Sequence, residues 1–188
     1  MTKALIVYGT RYGATASTSA EIANTFRQQG LEVRVVDAKQ ERISEIDEYD
    51  LVIVGSGIER DMWTSEPEEF LKTFQEELAK KKVALFVSCG HGSQALNEGK
   101  PDVIAKFRGV YLEEKAAKYN LQPLALGLFG GIYDYNKISR FMQMAPPVQA
   151  TRRKLEAACK ETQPGIYDLR DLDAIRIWAK ELSQKVLS

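Results

Sequence analysis

"ALIVYGTRYGATAS" (residues 4–17) decides how this chain is read. Ala4-Leu5-Ile6-Val7-Tyr8 is an apolar run of strand length, of the kind that fits a parallel strand buried on both faces. The residues after it hold two glycines and two threonines and lead into a long helical pattern. A helix N-terminus carries unpaired N–H groups and a partial positive charge, so such a loop suits an anion. Gly13 lets backbone approach backbone, and Thr10 and Thr15 offer hydroxyl donors. A tight turn with threonine caps and no ligand would use the same residues. No Gly-Lys-Ser/Thr is present, which argues against an ATPase or GTPase. Gly9 and Gly13 lack the spacing of Gly-x-Gly-x-x-Gly, although Asp37 ends the second strand where a dinucleotide fold wants an acid. Tyr111-x-x-x-Lys115 imitates a short-chain dehydrogenase pair, but Tyr111 belongs to an apolar helix face. The remaining nucleotide reading is a single phosphate held by hydroxyls and backbone N–H groups.

Working outward, short apolar runs at 4–8, 31–37, 51–55, 83–88 and 124–129 alternate with helical patterns. The run at 31–37 alternates polar and apolar residues and suits an edge strand. The first helix runs from near Thr15 to before Gly30. A second clear helix opens at Ser65-Glu66-Pro67-Glu68, which reads as a capping box. Others span about 102–119 and 171–187, and 37–49 has only a weak helical signal. Alternating strands and helices imply an α/β fold, a doubly wound five-stranded parallel sheet with right-handed crossovers and helices on both faces. Ligands of such sheets lie beyond the carboxyl ends of the strands. The loops there are 9–15, 38–44, 56–64, 89–101 and 130–137. Residues 131–165 form the one irregular stretch, with Pro146-Pro147 breaking a helical pattern.

The 188 residues, 44% of them hydrophobic, suit one domain (1–188) with a real core. Formal net charge is zero, so no global field favours nucleic acid or an anionic membrane. Two cysteines and one histidine make neither a disulfide framework nor a metal site, and no metal is expected. No run approaches the roughly 20 apolar residues of a membrane span, and no leader pattern precedes the first strand. The expected location is cytoplasmic. Residues 101–160 nevertheless carry a charge of +5. Within them 137–154 is basic and apolar together, with Ile138, Phe141, Met142 and Met144. That composition suits a membrane surface, an anionic flat substrate, or a packed helix with a solvated basic face.

Thr-x-x-Gly-x-Thr after a first strand resembles the FMN-phosphate loop of flavodoxins. "TRYGAT" is similar to the "TRDGQT" pattern of the menaquinone-dependent protoporphyrinogen oxidases and their flavodoxin-domain relatives, with Tyr12 where flavodoxins usually have threonine. The likeness continues in "YDLVIVGSGIERDMWTSEPEEFL" (49–71), "LFGGIYDYNKISRFM" (128–142) and "YDLRDLDAIRIWAKEL" (167–182), the last with Leu172 where the family usually has tryptophan. The resemblance implies the flavodoxin-like strand order 2-1-3-4-5 and FMN as cofactor. It places the phosphate on Thr10, Arg11, Tyr12, Gly13, Ala14 and Thr15. It places the flavin ring by Ser56, Gly57 and Ile58, where a turning glycine peptide stabilises half-reduced flavin, and by Cys89, Gly90, His91 and Gly92 at its pyrimidine edge. Trp63 is the aromatic expected to stack on the ring, or else to pack beside the helix start. The chain offers no obvious catalytic acid–base pair. The expected function is therefore electron transfer through FMN to a redox partner protein or a quinone. Protoporphyrinogen oxidation is the alternative, and a non-redox interaction domain the third reading.

Overall fold

Successive side chains of a strand point to opposite faces. In β1 (Lys3–Gly9), Leu5 and Val7 enter one apolar layer and Ala4 and Ile6 another, all fully buried. The computed structural model, which describes residues 1–90, 99–159 and 161–188, repeats this division through the sheet. After β1 come α1 (Ala14–Gln28), β2 (Glu32–Asp37), β3 (Leu51–Glu59), β4 (Met62–Trp63), α2 (Ser65–Thr73), α3 (Gln75–Leu78) and β5 (Lys82–Ser88). Then follow α4 (Pro101–Arg108), α5 (Glu114–Lys118), β6 (Ala125–Phe129), β7 (Ile132–Asp134), α6 (Arg140–Gln143), α7 (Pro146–Ala158), β8 (Glu161–Gln163), β9 (Ile166–Asp168) and α8 (Leu172–Leu187).

Among the described residues, parallel strands run in the order β2-β1-β3-β5-β6. That is the expected 2-1-3-4-5 order once β4, which folds back antiparallel on β3, is set aside. One layer joins Ile6, Ile53 and Phe86 to Ile22 and Phe26 of α1 and Ile175 and Leu182 of α8. The other joins Val7, Val54 and Leu85 to Phe70 and Leu71 of α2 and to Tyr111 and Leu112. Each such buried side chain contributes roughly 1.5–3 kcal/mol. Helices this short are held by that packing more than by their own propensity.

The structure departs from the sequence reading in four places. Ser65 lies inside α2; its N-cap is Thr64, no side chain caps it, and Glu68 turns away to ion pairs. The capping-box reading is thus replaced by tertiary contacts. The helix expected over 102–119 loosens into a π turn at Gly109–Glu113 between α4 and α5. Pro146 and Pro147 open α7 rather than break a helix, as proline can in a first turn, where the missing N–H would have no partner anyway. Finally, the stretch 131–165 is ordered around a small antiparallel sheet, β7-β9-β8, with its own core of Tyr135, Leu155, Tyr167 and Leu169.

Candidate functional site

The carboxyl ends of the central strands meet in register. Gly9 lies beside Ser56, Gly57 beside Ser88, and Ser88 beside Phe129. The loops leaving these ends form the candidate site.

In the first loop Gly13 has φ +94° and precedes α1 as its N-cap. That left-handed conformation is the reason for glycine. No side chain caps α1, and no acid occupies its first turn. The Gly13 N–H donates to Thr10 Oγ1 at 2.9 Å. Ala14 and Thr15 are buried at the helix start. Thr15 Oγ1 would stand 3.3 Å from a Cβ on Gly57, so the start of α1 and the end of β3 touch there. Arg11 is exposed and pairs with Glu59 at 3.1 Å, which ties it to the β3–β4 hairpin. The Tyr12 carbonyl accepts from Lys137 Nζ at 3.0 Å.

The expected loop 56–64 begins as strand, since β3 runs on to Glu59; there the fully buried Ser56 hydroxyl lies 2.8 Å from the Gly57 carbonyl and 3.1 Å from Thr64 Oγ1, and accepts from the Thr64 N–H at 2.9 Å. Ser56 therefore braces the hairpin with its side chain turned inward. The Gly57 carbonyl also accepts from the Thr64 N–H at 3.3 Å. Turning that peptide would break these bonds. Ile58 pairs with Trp63 across the hairpin, whose tip residues Arg60 and Asp61 have φ of 49° and 62°. Both central residues of a two-residue hairpin turn of type I′ need such angles. Trp63 is 7% exposed within the core. Its Nε1 donates to the Tyr111 carbonyl at 2.8 Å, and Lys115 Nζ sits 5.3 Å from the ring centre. Of the two readings of Trp63, these contacts belong to packing.

Tyr111 and Lys115 do not act together. The Tyr111 hydroxyl donates to Asp61 at 2.8 Å; burial, then that bond, holds its pKa well above the ordinary value. Lys115 is paired with Glu68, which also accepts from Lys118 and from the Tyr119 hydroxyl. Burial pushes the Glu68 carboxyl up, but these donors together bring it down to about 2.

At the end of β5, Cys89 is buried and its N–H donates to the Phe129 carbonyl at 2.9 Å. A Cβ on Gly90 would stand 2.4 Å from the Tyr133 ring, so Tyr133 lies directly on Gly90. Burial first, then Cys89, pushes the Tyr133 hydroxyl up to about 12. The Ser88 hydroxyl is buried without a hydrogen-bond partner among the described residues. His91 and Gly92 lie outside the described residues.

Three neighbours of the site escaped the sequence reading. Tyr133 and Lys137 reach it from the segment after β6. Arg170, gripped by Asp168 at 2.9 and 2.6 Å, meets the Ser17 hydroxyl near the start of α1. The only signal for Arg170 was the "DLRD" of the tail, which carried no role by itself.

A family model described as the flavodoxin domain matches residues 5–145. This chain belongs to the flavodoxin domain family. It is similar to a flavodoxin from the domain Archaea at 17% identity, over 99% of each chain, with a TM-score of 0.56. It is similar to a Streptococcus pneumonia TIGR4 flavodoxin at 16% identity, over 97% of this chain and 99% of that one, with a TM-score of 0.52. A two-electron reduced Megasphaera elsdenii flavodoxin matches at 20% identity over 66% of this chain and 84% of that one, with a TM-score of 0.52. At such identities the structures speak for the fold.

Membership of the flavodoxin domain family implies FMN as cofactor. The residues present fit its phosphate end. An uncapped helix start without an acid offers N–H donors to an anion. Thr10 and Thr15 flank it, and on the side where a Gly13 Cβ would stand no described residue lies within 4 Å. The ring end would rest on backbone at Gly57–Ile58 and Cys89–Gly90. Tyr133 is the aromatic that packs against the latter.

Proposed function

We infer that this flavodoxin-domain chain binds FMN through the loop 10–15 and passes electrons through it to a redox partner protein. One observation carries the reading: Gly13 turns the strand into an uncapped, acid-free helix N-terminus at the carboxyl edge of a parallel sheet, with Thr15 against Gly57. FMN, when bound, supplies the one- or two-electron chemistry. The chain's own residues bind and orient. The Thr10 and Thr15 hydroxyls and the first N–H groups of α1 hold the phosphate without a charged partner, since Arg11 is engaged by Glu59. The hydrogen bonds to the Gly57 carbonyl keep that peptide in one orientation beside the ring.

The test is a flavin spectrum of the purified protein, followed by identification of the flavin released on denaturation. A yellow protein that releases FMN supports the reading. A colourless protein that fails to take up added FMN overturns it and leaves the non-redox interaction domain. A quinone acceptor is the second reading; its support is the basic and apolar composition of 137–154, which Lys137 ties to the loop 10–15 through the Tyr12 carbonyl. Protoporphyrinogen oxidation is its specific form, and it rests on the sequence motifs. Anaerobic turnover of protoporphyrinogen with a quinone would establish it, and no turnover with any quinone would remove it.

A further inference from the structure

Among the described residues, the apolar side chains of α6 and of Met144 after it enter no layer. Phe141 is 84% exposed, Met144 73% and Met142 50%. They are nevertheless held in place. Ser139 caps α6 by accepting from the Met142 N–H, and the Gln143 side chain donates to the carbonyls of Tyr135 and Ile138, both at 2.8 Å. A short helix pinned this way projects its apolar residues outward rather than collapsing onto the small sheet.

The charge along this stretch of sequence is of one sign. Between Tyr135 and Leu155 the sequence has five cations and no acid. Lys137 and Arg152 have partners in Asp134 and Glu156. Arg140, Arg153 and Lys154 have no acidic partner among the described residues. On α7, Val148 and Leu155 face the small core, and the 100° step of a helix turns exposed Arg153 and Lys154 to the other side.

We propose that the α6–α7 segment is a surface that docks on an anionic lipid bilayer, with Phe141, Met142 and Met144 entering the interface and Arg140, Arg153 and Lys154 meeting the headgroups. Apolar burial at the interface and cation attraction to anionic lipid act together in such contacts. Exposed cations without acidic partners in the same segment as exposed aromatic and thioether side chains are what select a lipid surface. The contact is peripheral: among the described residues no helix is long and apolar enough to cross a membrane. It also adjoins the site in sequence. Lys137, bonded to the Tyr12 carbonyl, lies four positions before Phe141, at most ~14 Å of extended chain. Docking would hold the phosphate loop beside the bilayer. The proposal goes beyond the FMN reading and does not depend on it, because the assay below follows protein with or without flavin.

The experiment is cosedimentation of the full chain with vesicles of phosphatidylcholine containing phosphatidylglycerol, against vesicles of phosphatidylcholine alone. Binding is expected to the mixed vesicles, stronger than to the neutral ones, and weakened by salt. Phe141→Asp with Met144→Asp should lower the partition coefficient at least tenfold. Both sites are exposed, so thermal unfolding should match the parent chain. Arg140→Gln, Arg153→Gln and Lys154→Gln should each lower binding to mixed vesicles roughly fivefold at low salt, and these variants test the idea even if the aspartates disturb folding. No binding to mixed vesicles, equal binding to neutral vesicles, or variants that bind like the parent would each overturn the proposal. So would a dimer seen by light scattering that Phe141→Asp dissociates, which would assign the surface to a second copy of the chain.

Discussion

At the scale of single residues, Gly13 and Trp63 show how one position is decided by backbone and another by partners. Gly13 has open space on its Cβ side but a φ of +94°. Gly13→Ala should therefore cost roughly 1 kcal/mol through backbone strain alone. It should also weaken FMN binding, because α1 would begin in the wrong place. Chemical denaturation and flavin titration would show both, and unchanged stability would mean the turn is not held left-handed. Trp63 is a core residue hydrogen-bonded to the Tyr111 carbonyl. Trp63→Phe should lose about 1–2 kcal/mol of stability, the cost of leaving that carbonyl unpaired. FMN affinity should stay nearly constant. A large fall in affinity with little loss of stability would instead put the ring on the flavin. From sequence, Gly13 was legible because a glycine between strand and helix has few uses. Trp63 was not, because its partner lies 48 residues away.

At the scale of elements, α2 is joined to α5 by Glu68, which accepts from Lys115, Lys118 and Tyr119. Glu68→Gln should destabilise by roughly 2 kcal/mol at neutral pH, as expected for hydrogen bonds to a charged group. The folded carboxyl titrates near 2 against an ordinary 4.5. A depressed acid stabilises the fold fully above its unfolded pKa and loses that contribution as pH falls through the folded one. The stability gap between parent and variant should thus close as pH falls from 4.5 toward 2, and a gap independent of pH would remove the charge from the account. The small sheet is seated through Gly130, where an added Cβ would stand 2.1 Å from the Leu169 carbonyl oxygen. That neighbour is backbone and cannot swing aside. Gly130→Ala should cost about 1–3 kcal/mol by overpacking, read by denaturation; a neutral result would mean that the small sheet is loosely seated. None of this sheet was legible in the sequence. Its strands are three residues each, too short to display a period of two, and β7 finds β9 only across the whole of α6 and α7.

At the scale of the whole molecule, the chain is a parallel sheet with an apolar layer on each face and its chemistry gathered at one edge. The continuous apolar runs of β1, β3 and β5 by themselves determined that architecture, because a strand covered on both faces tolerates no polar position along its middle. They also determined where a ligand would lie, since parallel strands deliver all their carboxyl ends to one side. The candidate phosphate loop was likewise legible in the sequence, because its glycine, threonines and helix start are contiguous. Only the tertiary structure decided which loop residues remain available there. It turned Ser56 inward to brace Thr64, bound Arg11 to Glu59, and brought Tyr133 onto Gly90. Those outcomes depend on contacts between segments far apart in the chain, and such contacts exist only once the two layers have packed.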